Sequence, residues 1–132
     1  MPTEEHVQRF REIFGEAGEA VLERVQPLSP RLREHVYDYI AGDLYADPTL
    51  SVRTRELVVI ATLAAQGGMG EQLAVHLHVD NGATVAETVA TLETVGAYAG
   101  VPRALNAMFT AAEIFVRRGH IPAGQAEPTA DM

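Results

Sequence analysis

The chain has 132 residues, of which 47% are hydrophobic, and this supplies enough apolar side chains for one continuous core. Ten basic residues against eighteen acidic ones give a formal net charge of −8, which repels nucleic-acid phosphates and anionic lipid surfaces. The sequence contains neither Cys nor Lys, which excludes disulfides, thiolate catalysis, thiolate metal sites and Schiff-base chemistry on a side chain.

The first predicted helices lie on either side of Gly15. Thr3 precedes two glutamates and an amphipathic pattern, which is typical of an N-cap and predicts a helix that ends near Gly15. A second, shorter helix is predicted for residues 16–25. Ser29 is the predicted N-cap of a third helix, which starts with a proline and ends by residue 47, since the next residue is again a proline.

Four further helical segments are predicted in the rest of the chain. Ser51 is placed to cap a strongly apolar helix that ends at a Gly-Gly pair, and a shorter helical segment follows over residues 69–81. Thr84 and Glu87 have the spacing of a capping box, which predicts the start of the next helix. The last helix follows a Gly-Val-Pro turn and ends at Gly119.

These elements predict one all-α domain over residues 1–119. Residues 120–132 contain two prolines and no apolar periodicity, so we expect a flexible C-terminal tail. The apolar helices after Ser51 and Thr84 have too few polar positions for lone surface helices, which favours packing against other helices or other subunits. Gly96, inside a predicted helix, indicates a place where two backbones approach closely.

Four groups of residues occur in an order that is typical of one family. They are Leu50-Ser-Val-Arg-Thr-Arg-Glu-Leu-Val58 with the Gly-Gly pair, Gln72-Leu-Ala-Val-His76, Asn81-Gly-Ala-Thr84 with Glu87, and Ala97-Tyr-Ala-Gly-Val-Pro102 through Asn106. Residues 28–116 thereby resemble the carboxymuconolactone decarboxylase-like superfamily. The resemblance implies an alkyl hydroperoxidase D-like subunit of about six or seven helices. It also implies assembly into dimers, trimers or hexamers, with active sites near subunit contacts, and we expect a trimer or hexamer.

This superfamily combines two chemistries, which differ in the residues ahead of the histidine. The branch that is similar to alkyl hydroperoxidase D has a Cys-x-x-Cys motif there, and Met69 and Gln72 occupy those two positions in this chain. Thiol peroxidase and disulfide reductase activities are therefore excluded. The remaining branch implies a cofactor-free carboxy-lyase that uses acid–base groups on a small lactone or organic acid, and decarboxylation of 4-carboxymuconolactone is one such reaction.

Two departures from the family pattern predict a different pocket shape. The spacing from His76 to Gly82 is shorter than is typical of the family. In addition, Ala41, Leu44 and Tyr45 occupy a segment where some decarboxylases carry other aromatic residues.

The resemblance makes His76 and Glu56 the predicted catalytic residues. An imidazole can transfer a proton near neutral pH, which the protonation of a carbanion after loss of carbon dioxide requires. The alternative for His76 is a buried histidine that is hydrogen-bonded to a neighbouring helix. Glu56 is the expected partner acid or base, and its alternative is a first-turn glutamate that stabilises the helix dipole. We predict no metal site, because His76 and His78 point to different sides of one helix.

Four other residues are predicted to bind substrate. Arg53 and Arg55 could hold a carboxylate through bidentate hydrogen bonds, although a solvated pair at a helix start is the alternative for both. Tyr98 could orient a carbonyl group, and its alternative is an ordinary position at the edge of the apolar core. Asn106 completes the predicted set.

A non-catalytic function is the alternative to the enzyme. In that case the chain would be an oligomeric helical binding or structural module, and a filled core would surround His76. An enzyme instead needs a solvent-reachable pocket where His76 meets a carboxylate or a tyrosine. For the enzyme we expect a small-molecule substrate, a homo-oligomer, no nucleic-acid or membrane partner, and a cytoplasmic location.

Overall fold

The chain folds into helices throughout residues 2–79 and 82–122, which are the residues that a computed structural model describes. The elements are α1, Glu4–Val25; α2, Pro30–His35, which continues as a π-helical segment, Val36–Leu44; α3, Val52–Gln66; α4, Gly70–His78; α5, Val85–Ala99; and α6, Val101–Arg117. The predicted all-α fold is confirmed. None of the helices in these two ranges is both long and apolar enough to cross a bilayer. Most of the predicted tail, residues 123–132, lies outside the described residues, so the domain boundary stays a prediction.

Local geometry in the N-terminal third differs from the predicted helices in two ways. The predicted break at Gly15 is a kink inside α1, where the glycine takes φ 61° and ψ −159°. The third predicted helix changes type after α2 and becomes the π-helical segment. Its last turn is closed by the Tyr45 amide, which donates to the Ile40 carbonyl five residues back at 2.9 Å. Segments of π-helix occur frequently at functional sites.

Side-chain caps fix where four of the helices begin, and all four predicted N-caps are confirmed. The hydroxyls of Thr3, Ser29 and Ser51 each accept a hydrogen bond from a backbone amide in the first turn. The capping box is complete, since Thr84 Oγ1 accepts from the Glu87 amide at 3.0 Å and Glu87 Oε1 accepts from the Thr84 amide at 3.0 Å. These bonds satisfy amides that have no partner inside their helix.

Two apolar clusters form the interior. The C-terminal core lies among α3–α6 and contains Ile60, Ala64, Leu73, Leu77, Leu92, Val95, Ala107, Ala111, Ile114 and Phe115. The N-terminal core lies between α1 and the π-helical segment and contains Phe10, Phe14, Leu22, Tyr37, Ala41 and Tyr45. Helix α1 also packs on α4, so the two cores meet at this helix.

Close packing of α5 on α6 depends on a glycine, as the sequence predicts. A Cβ atom added to Gly96 would lie 3.2 Å from the Cβ of Ala104. This separation is tighter than ordinary van der Waals contact, so the backbones approach because a side chain is missing.

Candidate active site

Glu56 is a carboxylate in the middle of the fold, with 0% of its surface exposed. Ser51 starts α3 by accepting from the Thr54 amide at 3.1 Å, and this start turns the fifth residue of the helix inward. A carboxylate that leaves water without partners costs several kcal/mol, so its two oxygens must find hydrogen-bond donors. The chain provides both.

Tyr45 and His76 are the two partners of this carboxylate. The Tyr45 hydroxyl donates to Glu56 Oε1, and Nδ1 of His76 lies 2.7 Å from Glu56 Oε2. The three side chains come from three elements: the end of the π-helical segment, the first part of α3, and the last turn of α4. The fold therefore brings together the two predicted catalytic residues, which are twenty positions apart in the sequence.

Aromatic side chains of the N-terminal core fix the orientation of the imidazole. The Phe14 ring lies edge-on to His76, with ring centroids 5.3 Å apart at 86°, and also edge-on to Tyr45, at 5.2 Å and 78°. Only 14% of the His76 side chain is exposed. Because Nδ1 is bonded to Glu56, Nε2 is the ring nitrogen that remains available to a bound molecule.

The Tyr45 phenol is held in its protonated form. Burial raises its pKa far above the ordinary value, and the negative charge of Glu56 and the hydrogen bond to it act in the same direction. The positive charge of Arg55 opposes them to a smaller degree. The phenol is thus a permanent hydrogen-bond donor to Glu56 near neutral pH.

A cavity of about 400 Å³ lies beside this group, on the side of the N-terminal core. Its polar lining comes from Tyr45, Gln72 and His76. The rest of the lining is Gly18 and apolar side chains of α1, α2, the π-helical segment, α3 and α4: Phe10, Phe14, Val21, Leu22, Val25, Leu32, Val36, Ile40, Leu44, Val59 and Val75. The cavity is partly open to solvent and falls within the size range of small-molecule sites.

The two arginines of the predicted substrate site lie near the group but outside the cavity lining. Arg53 forms an ion pair with Glu87. The Arg55 guanidinium lies 5.7 Å from the centre of the Tyr45 ring and donates to the Asp47 carbonyl at 3.3 Å. Its Nε is buried without a hydrogen-bond partner. Their predicted role in substrate binding stays a prediction.

Tyr98 and Asn106 are not brought to His76. The Tyr98 side chain is 91% exposed on α5, in a shallow depression that it shares with α3. Asn106 is exposed on α6 and lines a separate cavity of about 220 Å³ beside the turn at residues 67–70. Both residues therefore lie on other surfaces of this subunit.

Tyr45 and Phe14 complete the group around His76, although the sequence predicts no catalytic role for either. Tyr45 is predicted only as an influence on pocket shape. The available signal is an aromatic residue with a polar tip just ahead of the helix-ending Asp47. Phe14 carries no such signal, because its pattern is that of any core residue on an amphipathic helix.

No three His, Asp or Glu side chains within residues 2–79 and 82–122 are grouped closely enough to hold one metal ion. His78 lies away from the group and lines a different cavity with the kink of α1. The expected absence of a metal and of a cofactor stays a prediction.

The fold and the site together define a class of protein. Its members are all-helical and have a buried carboxylate–imidazole–phenol group beside an apolar cavity. Residues 30–113 match the sequence profile of the carboxymuconolactone decarboxylase family. The chain is also 31% identical over 103 residues to the 4-carboxymuconolactone decarboxylase of Acinetobacter baylyi, and the matched region covers 76% of each protein. The chain belongs to the carboxymuconolactone decarboxylase family, which confirms the predicted resemblance.

Proposed function

We propose that this protein is a cofactor-free enzyme that uses acid–base chemistry on a small lactone or organic acid, with decarboxylation as its reaction type. The observation that carries the proposal is the convergence of Glu56, His76 and Tyr45 beside a cavity that a small molecule can enter. The name of the Acinetobacter relative supports decarboxylation as the reaction, and 4-carboxymuconolactone is the substrate in that name.

The hydrogen bonds define how His76 can act. A Glu56 carboxylate accepts from the Tyr45 hydroxyl at one oxygen and from His76 Nδ1–H at the other. In neutral His76 the proton is then on Nδ1, and Nε2 carries the lone pair. After His76 takes up a proton from solvent, Nε2–H becomes the acid that faces a substrate, and Glu56 stabilises the imidazolium.

The proposed step breaks one carbon–carbon bond and forms one carbon–hydrogen bond. The bond between the substrate and its carboxylate carbon breaks, carbon dioxide leaves, and the electron pair stays on the substrate, delocalised into a neighbouring carbonyl. His76 Nε2–H then donates its proton to that carbon. The product carries hydrogen in place of the carboxylate, and solvent returns the proton to His76.

The surroundings of His76 favour the enzyme over a non-catalytic module. A module would have a filled core around the histidine. His76 instead lines a cavity of about 400 Å³, and a carboxylate and a phenol fix its ring orientation. Such a preorganised proton donor has no use in a merely structural core.

We also propose that the chain works as a homo-oligomer. Val101, Leu105 and Phe109 form an exposed apolar stripe along α6. A large exposed apolar stripe is typical of a surface that another subunit covers. Sedimentation equilibrium of the purified protein measures the subunit number, for which we expect three or six. The cytoplasmic location and the lack of nucleic-acid and membrane partners stay predictions.

The test of the catalytic role compares His76→Asn with His78→Asn. The asparagine amide introduced by the first substitution can still donate to Glu56 from nearly the position of Nδ1, but it cannot transfer a proton. We expect His76→Asn to lower kcat/KM by about 10²–10⁴-fold on whichever lactone or organic acid the wild type turns over, and His78→Asn to leave it unchanged. The substrate panel contains 4-carboxymuconolactone and lactones with one carboxylate and a larger hydrocarbon part.

A second variant tests the orientation of the imidazole. In Glu56→Gln, the amide nitrogen faces His76 and donates to Nδ1, which moves the ring proton to Nε2 and removes the negative charge. We expect a similar loss of kcat/KM with a folded protein. Wild-type turnover in both His76→Asn and Glu56→Gln would contradict the proposed function.

A further inference from the structure

The cavity beside His76 has few polar groups in its lining. The side chains that line it all lie between residues 10 and 76 of the described chain, and they include no Arg, Asp or Glu. The groups that can meet a polar ligand are the His76 imidazole, the Tyr45 phenol and the Gln72 amide. Val36, Ile40 and Leu44 of the π-helical segment belong to the hydrocarbon part of the lining.

The volume allows a ligand larger than a five-membered lactone ring. A dry cavity of about 150 Å³ holds one benzene ring. At about 400 Å³, the cavity therefore has room for roughly 10–16 non-hydrogen atoms. Most of these atoms would contact hydrocarbon, because only three of the fifteen lining residues, Tyr45, Gln72 and His76, are polar.

Charge restricts the ligand further. A carboxylate at the His76 end can bond to the imidazolium, but a second carboxylate would face apolar side chains or the negative charge of Glu56. No arginine is among the described residues that line the cavity. Arg53 is paired with Glu87, and Arg55, whose Nε has no hydrogen-bond partner in the described part of the chain, donates to the Asp47 carbonyl from outside the lining. An anion without a cationic or hydrogen-bonding partner in such surroundings is strongly disfavoured.

We propose that the substrate of this site is a mainly hydrocarbon molecule with one carboxylate, which binds at the Glu56–His76–Tyr45 end while its apolar part fills the cavity. A compact dicarboxylate, such as a lactone with two carboxylates, is a poor ligand. This inference rests on the proposed function only for the statement that the ligand is a substrate; the binding preference follows from the lining alone.

Much of the hydrocarbon lining comes from a part of the chain that precedes the matched family region. Phe10, Leu22 and Val25 belong to α1, whereas the family profile begins at residue 30. The π-helical segment provides a further part of the hydrocarbon lining. Ligand preference is therefore set largely where α1 meets this segment.

The test uses three probes that share a cyclohexane ring and one carboxylate. They are cyclohexanecarboxylate, trans-cyclohexane-1,4-dicarboxylate, and trans-4-pentylcyclohexanecarboxylate, in which a pentyl chain replaces the second carboxylate. Isothermal titration calorimetry on the wild-type protein measures their dissociation constants. We expect the pentyl compound to bind at least about 10-fold tighter than the parent acid, and the dicarboxylate to bind weakest.

Two valine variants on α3 test whether the probes bind in this cavity. Val59 lines the cavity, whereas its neighbour Val58 is exposed on the outer side of α3. Val59→Phe fills part of the cavity, so we expect it to weaken binding of the pentyl compound at least about 10-fold, while Val58→Phe retains wild-type affinity. Thermal melting of both variants shows whether each is folded at the titration temperature.

The outcomes separate this inference from the proposed function. Dicarboxylate binding as tight as that of the pentyl compound overturns the inference, and so does unchanged pentyl binding in folded Val59→Phe. Turnover that depends on His76 but prefers a dicarboxylate leaves the proposed function intact and rejects the inference. The expected order of binding without turnover of any panel compound supports the inference and rejects the proposed function.

Discussion

The C-terminal core and the N-terminal core differ in how they are built. The C-terminal core is made of regular α-helices whose small residues let backbones approach, as Gly96 and Ala104 do. The N-terminal core is made of aromatic rings between a kinked α1 and a π-helical segment, and it borders a cavity of about 400 Å³. Close packing favours stability, and irregular packing leaves space for a ligand.

The candidate catalytic group lies where these two regions meet. Glu56 and His76 belong to helices of the C-terminal core, and Tyr45 and Phe14 belong to the N-terminal core. The C-terminal region thus holds the proposed proton-transfer groups, and the N-terminal region supplies most of the hydrocarbon lining. We infer that substitutions of other residues in the first region act mainly on stability, and that substitutions of cavity-lining residues in the second act mainly on ligand binding.

The largest expected effect on stability is that of Leu92→Ala, and Leu22→Ala is its matched comparison. Leu92 is fully buried in the C-terminal core, whereas Leu22 is almost as buried but lines the cavity. We expect Leu92→Ala to lower the free energy of unfolding by about 2–5 kcal/mol, because it leaves a closed void in a packed core. Leu22→Ala enlarges an open cavity, so its cost lies at or below the lower end of that range.

Urea unfolding of the two variants measures this difference, and titration with the pentyl probe provides the second readout. Leu22→Ala should change the affinity for the probe more than Leu92→Ala does. Equal losses of stability together with equal affinities would show that the two regions do not divide stability and binding in this way.

The helices were predictable because their signals are local. Ser51 and Thr84 cap their helices through bonds to amides within three residues, and such caps can be recognised from spacing. The π-helical segment was not predictable. Its apolar residues Val36, Ile40 and Leu44 recur at a spacing of four, which an α-helix also produces, and only packing against α1 distinguishes the two.

The candidate site was predictable in part. The family order of motifs identifies His76 and Glu56, and the structure places them in contact. Tyr45 reaches Glu56 through tertiary packing between the π-helical segment and α3, for which the sequence carries no direct signal. Tyr98 and Asn106 belong to the same family order, but α5 and α6 turn them to other surfaces of the subunit.

A smaller effect is expected from Tyr45→Phe, which acts at the boundary between the regions. The variant keeps the ring but removes the donor to Glu56 Oε1, which leaves a buried carboxylate oxygen unpaired. We expect a loss of about 1–3 kcal/mol in the free energy of unfolding at pH 7. Turnover should fall as well, since the orientation of His76 depends on Glu56.

The pH dependence of stability provides a second test of the buried Tyr45 phenol. Burial, and then the charge of Glu56, raise the pKa of Tyr45 in the folded protein above its ordinary value near 10. The folded protein thus keeps a proton that the unfolded chain releases, so the contribution is complete below pH 10 and is lost as the pH rises above it. Wild-type stability should fall in this range more steeply than that of Tyr45→Phe. Tyr39→Phe, at a half-exposed tyrosine, should retain the wild-type slope.

The smallest expected effect on stability comes from removing one helix cap in each region. Thr84 caps α5, which carries Leu92 into the C-terminal core, whereas Ser29 caps α2, a six-residue helix without a buried residue. We expect Thr84→Ala to cost about 1 kcal/mol of unfolding free energy and Ser29→Ala only a few tenths, because fraying of α2 exposes little apolar surface. Hydrogen exchange should show α5 amides opening faster in Thr84→Ala. In Ser29→Ala, faster opening should stay confined to α2. The opposite result would be that Ser29→Ala destabilises the whole chain as much as Thr84→Ala does. That result would mean that the region around α2 folds as one cooperative unit with the C-terminal core. The cavity wall would then be as rigid as the helices that hold Glu56 and His76.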